Sequence, residues 1–148
     1  MQLSLSTPIQ ATPTKVWNVI TDIDGATERI RGILAVEVLE RPKSGVKGLK
    51  WKETRKFAGR EAHEIMWITD AKKPQFYETR AESHGAIYVS RLSIDKADDG
   101  CVLTMSFDGQ AVTFGAKIMW FLTGWMAKKP MIKAITEDLE DLKAAAEA

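Results

Sequence analysis

The sequence is short of the residues that usually announce a chemistry: it has one cysteine, two histidines, two tyrosines and a net charge of only +1 in 148 residues. Cys101 has no partner for an internal disulfide, and a lone thiol fits a reducing, cytoplasmic setting. His63, His84 and Cys101 lack metal-ligand spacing, and there is no G-x-S-x-G, no G-x-G-x-x-G and no P-loop, so neither a metal nor a nucleotide cofactor is expected. Near-neutral charge argues against a whole-surface grip on nucleic acid or acidic membrane, while leaving local patches open. The longest strongly apolar run, Ile118 to Ala127, falls well short of the roughly 20 residues that span a bilayer. Met1 to Gln10 lacks the basic and apolar regions of a secretory signal. With no repeat, low-complexity tract or linker rich in Pro, Gly or Ser, residues 1–148 are expected to form one domain. A chain of this length buries roughly 68–70 % of its unfolded surface and needs no covalent staple.

What is present is an even succession of short elements. Leu3-Ser-Leu5-Ser alternates as a strand does, and Thr12-Pro13 supplies an N-cap and first-turn proline for a helix carrying Val16, Trp17 and Ile20. Asp24-Gly25 breaks that helix, and a second helical piece over Ala26 to Ile30 ends at Gly32. Ile33 to Glu40 is rich in β-branched residues and reads as a strand. Five further strands are predicted at Leu49 to Phe57, Arg60 to Thr69, Gln75 to Ser83, Ala86 to Ile94 and Val102 to Gln110. They are separated by Ala58-Gly59, Lys73-Pro74, His84-Gly85 and Asp98-Asp99-Gly100, connections short enough to make consecutive antiparallel hairpins. After Thr113 the period changes to that of one long helix with Ile132, Ile135, Leu139 and Leu142. The pattern is α+β, with the long helix covering one face of a curved sheet.

Several of these segments carry a family likeness. Ile9-x-Ala11-x-Pro13-x-x-Val16-Trp17 with Asp22, the strand Trp51-Lys-Glu53-Thr-Arg55, the hairpin Gly59-Arg60-Glu61-Ala62 and the ending Asp138-Leu139-x-x-Leu142-Lys143 resemble the START-like (SRPBCC) superfamily of polyketide cyclases and dehydrases. The resemblance covers nearly the whole chain. It implies the helix-grip fold, a seven-stranded antiparallel sheet wrapped around a long C-terminal helix, with two short helices between the first two strands and an apolar cavity. Because that superfamily includes carriers, cyclases and co-chaperones, the likeness implies a ligand cavity more strongly than a reaction.

The strand Leu49-Lys-Trp51-Lys-Glu53-Thr-Arg55-Lys-Phe57 is the most informative local feature. Alternation puts Lys50, Lys52, Thr54 and Lys56 on one face and places Glu53 and Arg55 on the apolar face with Leu49, Trp51 and Phe57. A two- or four-residue turn at Ala58-Gly59 pairs Arg55 with Ala62, Glu53 with Glu64 and Trp51 with Met66; a three-residue loop would put Ile65 in place of Glu64. Two facing carboxylates repel, which raises one pKa unless a cation such as Arg55 sits between them. Glu53 and Glu64 are therefore the candidate acid/base groups, against the plainer reading that Arg55 neutralises both and the trio lines the sheet. Tyr77 and Thr79, Tyr88 and Ser90, and Met105 and Phe107 can face the same interior, as orienting hydroxyls and apolar wall or as ordinary core.

On a wheel anchored at Leu139, Phe114, Ile118, Phe121, Trp125, Lys128, Ile132, Ile135 and Leu142 fall on the core side, so Phe121 and Trp125 join the candidate ligand contacts. Met119, Leu122 and Met126 fall on nearly the opposite face, to be covered by another element, a second subunit as in a homodimer, a membrane surface, or to serve as a gate. Pro130 predicts a kink near Met126. The basic run from Arg41 to Arg60 alternates away from Trp51 and Phe57, which favours a solvated outer sheet face over a nucleic-acid surface. The sequence thus points first to binding of a hydrophobic small molecule or lipid. A cyclase or dehydratase working through a buried carboxylate and an interaction or membrane-docking protein are the alternatives.

Overall fold

The computed structural model describes residues 1–148. In chain order it contains β1 (Gln2–Ile9), α1 (Pro13–Thr21), α2 (Ala26–Arg29), β2 (Ile33–Glu40), β3 (Lys50–Phe57), β4 (Arg60–Lys72), β5 (Phe76–Ser83), β6 (Ala86–Ala97), β7 (Gly100–Ala111) and α3 (Phe114–Glu147). The strands form one seven-stranded antiparallel sheet in the order β1-β7-β6-β5-β4-β3-β2. Five consecutive hairpins therefore run from β2 to β7, and β1 crosses back to the free edge of β7. With α3 held across the sheet, this is the helix-grip fold the sequence led us to expect.

Local chemistry sets the element ends. The Thr12 hydroxyl accepts from the Lys15 amide at 3.2 Å and Pro13 opens α1, while Thr113 caps α3 by accepting from the Ala116 amide at 3.2 Å. Ala58 and Gly59 both have positive φ at the β3–β4 turn, as the primed turns of two-residue hairpins require. At the β6–β7 turn Gly100 has φ +144°, and a Cβ there would lie 2.2 Å from the Ile9 carbonyl oxygen, so only glycine fits.

The core lies where α1 and the C-terminal half of α3 meet β1, β5, β6 and β7. Val16, Trp17, Ile20, Ile94, Leu103, Ile135, Leu139 and Leu142 are all buried in it. Trp17 meets Tyr77 edge to face with ring centroids 6.3 Å apart, so it belongs to this core and does not border the cavity. Cys101 is buried with its Sγ 3.5 Å from the Ala11 carbonyl, as a small packing residue would be.

The C-terminal half of α3 is tied down by polar contacts as well as packing. Arg31 grips Asp141 through Nε and Nη2, Lys143 donates to the Pro8 carbonyl at 2.7 Å, and Glu147 accepts from the Gln10 amide at 2.8 Å. The helix runs unbroken through Pro130 for 34 residues. Its first half departs from the expected wheel. Phe121 is 86 % and Trp125 76 % exposed, and Phe114, Ile118, Met119, Leu122 and Met126 are exposed as well. The inward residue of this half is Trp120, packed over Tyr88 at 6.2 Å between ring centroids. The anchor Leu139 and its neighbours Ile135 and Leu142 are buried as expected, but the line facing the sheet in the first half runs through Trp120 and continues along the cavity through Met131, Ala134 and Asp138. An aspartate in that line made an inward face look solvated.

Candidate functional site

The concave face of the sheet, α1, α2 and α3 enclose a cavity of about 350 Å³, within the usual range for small-molecule sites. Its apolar wall comes from every layer. α1 gives Val19 and Ile20, the following segment and α2 give Ile23, Ala26 and Ile30, the sheet gives Trp51, Met66, Leu92, Met105 and Phe107, and α3 gives Met131, Ala134, Ile135 and Leu142. At one end Tyr88 stacks on Phe107 with centroids 5.7 Å apart and carries Trp120 above it. Gly109 makes room for that stack, since a Cβ there would sit 3.0 Å from the Trp120 ring.

The β3–β4 register is the one a two-residue turn dictates: Arg55 faces Ala62, Glu53 faces Glu64 and Trp51 faces Met66. Glu53, Arg55 and Glu64 consequently all reach the cavity. Their pairing differs from the expected one. Arg55 does not bridge Glu53 and Glu64; its guanidinium forks onto Asp138 of α3, with Nη2 2.9 Å and Nη1 3.2 Å from the two carboxylate oxygens, and donates from Nε to Glu53 at 3.1 Å. The Trp51 indole N–H lies 3.5 Å from the other oxygen of Glu53. Burial works against the Arg55 charge, but the charges of Asp138 and Glu53 outweigh it and raise the guanidinium pKa. Burial also pushes the Asp138 carboxyl upward, against the pull of Arg55.

Glu64 is left without this support. Its Oε2 is buried and has no hydrogen-bond partner. Burial raises its pKa above the ordinary carboxyl value, with Glu53 adding to the rise and His84 opposing it. Tyr88, close by, is raised by burial and by the Glu64 charge. On the other side of the cavity the Tyr77 hydroxyl is spoken for: it donates to the Ile20 carbonyl at 3.1 Å, satisfying one of the last acceptors of α1, and burial pushes its pKa up. Counting the charges around the wall, Asp22, Glu53, Glu64 and Asp138 stand against Arg29 and Arg55. Asp22 and Arg29 pair with each other, so the deeper set holds three carboxylates and one guanidinium already engaged by two of them.

Of the residues singled out from the sequence, Trp51, Glu53, Arg55, Glu64, Met66, Tyr77, Thr79, Tyr88, Ser90, Met105 and Phe107 line the cavity. Phe121 and Trp125 do not; they project from the half of α3 that extends beyond the packed core. Asp138 was missed, although its neighbours at helical spacing, Ile135 and Leu142, were both assigned to the core. A polar residue flanked at i−3 and i+4 by buried ones sits on the buried face and requires a partner there. The two histidines stay outside: His63 is exposed beside Thr54, and His84 occupies the β5–β6 turn at φ 49°. No group of His, Cys, Asp and Glu side chains is arranged to hold a metal. No helix is long and apolar enough to cross a membrane.

A family model described as polyketide cyclase / dehydrase and lipid transport matches residues 1–147. Among solved structures, a protein of Thermus thermophilus is similar with a TM-score of 0.81 at 14 % identity, over 99 % of this chain and 97 % of its own. The Zhui aromatase/cyclase of a Streptomyces species is similar with a TM-score of 0.76 at 16 % identity, over 99 % and 93 %. A START superfamily protein of Mycobacterium smegmatis gives 0.69 at 14 % identity, over 95 % and 98 %. At these identities the likeness is one of fold. No curated protein matches the sequence.

Proposed function

The chain belongs to the polyketide cyclase / dehydrase and lipid transport family, and from that premise we propose that its cavity binds a largely apolar small molecule whose polar end donates hydrogen bonds to Glu64. The observation that carries this reading is the buried, partnerless Oε2 of Glu64 in a largely apolar chamber. An unpaired buried acceptor costs about 1–3 kcal/mol, a deficit that a donor on the ligand would recover. An anionic end finds no free cation there, because Arg55 already serves Asp138 and Glu53. The ligand end is accordingly an alcohol, phenol or amine, and fatty-acid-like carboxylates are disfavoured.

Three probes with one aromatic body test this: 1-naphthylmethanol, 1-naphthylmethylamine and 1-naphthoic acid, titrated by calorimetry. The alcohol and amine are expected to bind at least tenfold more tightly than the acid, and Glu64→Gln to narrow that gap. Preference for the acid would overturn the assignment. Mass spectrometry of the molecule that co-purifies with the native protein then gives the natural ligand.

A second reading rests on the same carboxyl. With its pKa raised by burial, Glu64 can hold or give a proton closer to neutral pH than an ordinary glutamate, as a cyclase or dehydratase acting on a polyketide-like or aromatic substrate requires. Turnover of a poly-β-ketone substrate with a bell-shaped pH profile, lost in Glu64→Gln, would establish it; unchanged turnover in that variant would remove Glu64 from the chemistry.

A further inference from the structure

The first half of α3 presents an apolar face that nothing in the chain covers. At 100° per residue, Phe114, Ile118, Phe121, Leu122, Trp125 and Met126 occupy one outward arc of roughly 140°, while Trp120 points inward onto Tyr88. Soluble surfaces carry single exposed apolar side chains freely, but a contiguous stripe containing a phenylalanine 86 % and a tryptophan 76 % exposed marks a contact surface. The charge around it has one sign. Lys117 lies within its span, Lys128, Lys129 and Lys133 follow it, and no acidic residue occurs from Val112 through Thr136.

That asymmetry selects among occupants. A second copy of the chain would bring the same lysines against these and offer no carboxylate from this segment to pair with them. An anionic lipid surface supplies the missing charge, accepts Phe121 and Trp125 at the level of its headgroups, and gains from each lysine nearby. We propose that residues 114–133 dock in the plane of an anionic phospholipid surface, with the stripe down and the lysines against the headgroups. The same helix continues into the cavity wall at Met131, six residues or about 9 Å beyond Trp125, and Trp120 rests on the cavity residue Tyr88. The docked segment therefore borders the chamber.

The test is flotation of the full chain with vesicles of phosphatidylglycerol and phosphatidylcholine in equal parts, beside vesicles of phosphatidylcholine alone, at low and at high salt. Binding to the anionic vesicles at low salt, weakened at least tenfold by high salt and by the neutral vesicles, is the expected result. Since each lysine near such a surface contributes about fivefold, Lys128→Gln with Lys129→Gln should weaken partitioning by roughly thirtyfold. Phe121→Ser with Trp125→Ser should abolish it with unchanged thermal stability, because both side chains already face solvent. No binding to anionic vesicles at low salt, or equal binding to both vesicle types, overturns the proposal. So does a concentration-dependent dimer in sedimentation that the Phe121→Ser, Trp125→Ser variant loses while the wild type ignores vesicles; the occupant is then a second copy.

Discussion

Replacing Arg55 by methionine isolates what holds α3 to the sheet. The change keeps an apolar stem of similar reach but leaves Asp138 and Glu53, whose side chains are only 10 % and 11 % exposed, without their common cation. Breaking a buried ion pair from one side costs about 3–5 kcal/mol, a large share of the roughly 5–15 kcal/mol that stabilises a domain. At about 2–4 °C per kcal/mol for a chain of this size, the melting temperature should fall by roughly 6–20 °C. Urea unfolding followed by tryptophan fluorescence measures the loss, and adding Asp138→Leu to Arg55→Met should return part of it by removing one stranded charge. The sign of the pH dependence follows from Asp138. Burial already pushes its carboxyl up against the pull of Arg55, so without Arg55 its folded pKa rises further above the unfolded value. The folded variant then takes up a proton more readily than the unfolded chain. Its deficit against wild type should be smallest below the unfolded value and grow as pH rises through the folded one. A deficit under about 1 kcal/mol, or one that is flat between roughly pH 5 and pH 8, would refute the account of this cluster.

Glu64→Gln should stabilise the protein by no more than about 0.5 kcal/mol near pH 8, since it removes a charge from a half-buried carboxyl whose inner oxygen has no partner while water screens the rest. Because burial lifts the Glu64 carboxyl above its ordinary 4.5, that gain should vanish below this value and appear as pH rises through the folded pKa; a loss of stability at pH 8 counts against it. Tyr77→Phe leaves the Ile20 carbonyl buried and unsatisfied and should cost about 1–3 kcal/mol in urea unfolding, with an unchanged midpoint contradicting the capping role. Gly100→Ala forces a Cβ to 2.2 Å from the Ile9 carbonyl at φ +144° and should cost about 2 kcal/mol or more; wild-type stability would show that the β1–β7 edge yields.

The hairpin region was the most legible part of the sequence because its signals are local. Period-two alternation indicates which side of β3 faces inward, and a two-residue turn at Ala58-Gly59 gives the register on β4 that the structure shows over the three-residue alternative, so Glu53, Arg55 and Glu64 could be placed at the cavity without a tertiary contact. The pairing of Arg55 could not be read the same way. Its partner Asp138 lies 83 residues away on another layer, and nothing in the alternation of β3 records the angle at which α3 crosses the sheet. Helical periodicity placed Ile135, Leu139 and Leu142 in the core correctly but failed in the first half of α3, for a related reason. A wheel ranks faces by hydrophobicity, and here a buried aspartate sits on the inner face while Phe121 and Trp125 sit on the outer one. Both reversals come from contacts outside the helix itself: an ion pair in one case, an uncovered surface in the other.

The crossing of β1 to β7 imposes an order on assembly. Residues 2–9 pair with residues 101–108, so the strand made first on the ribosome must wait for about 100 more residues before it has an edge to join. At translation rates of about 5–20 residues per second that is roughly 5–20 s, during which the four hairpins between β2 and β6 can form in sequence, the fifth closing as β7 itself emerges. The cavity floor is then in place while Arg55 still has only Glu53, and Asp138 reaches it later still. A nascent chain halted between residue 111 and residue 138 would hold a nearly complete sheet around an open chamber, the stage at which its inner face is most available to a chaperone, a ligand or another unfinished chain.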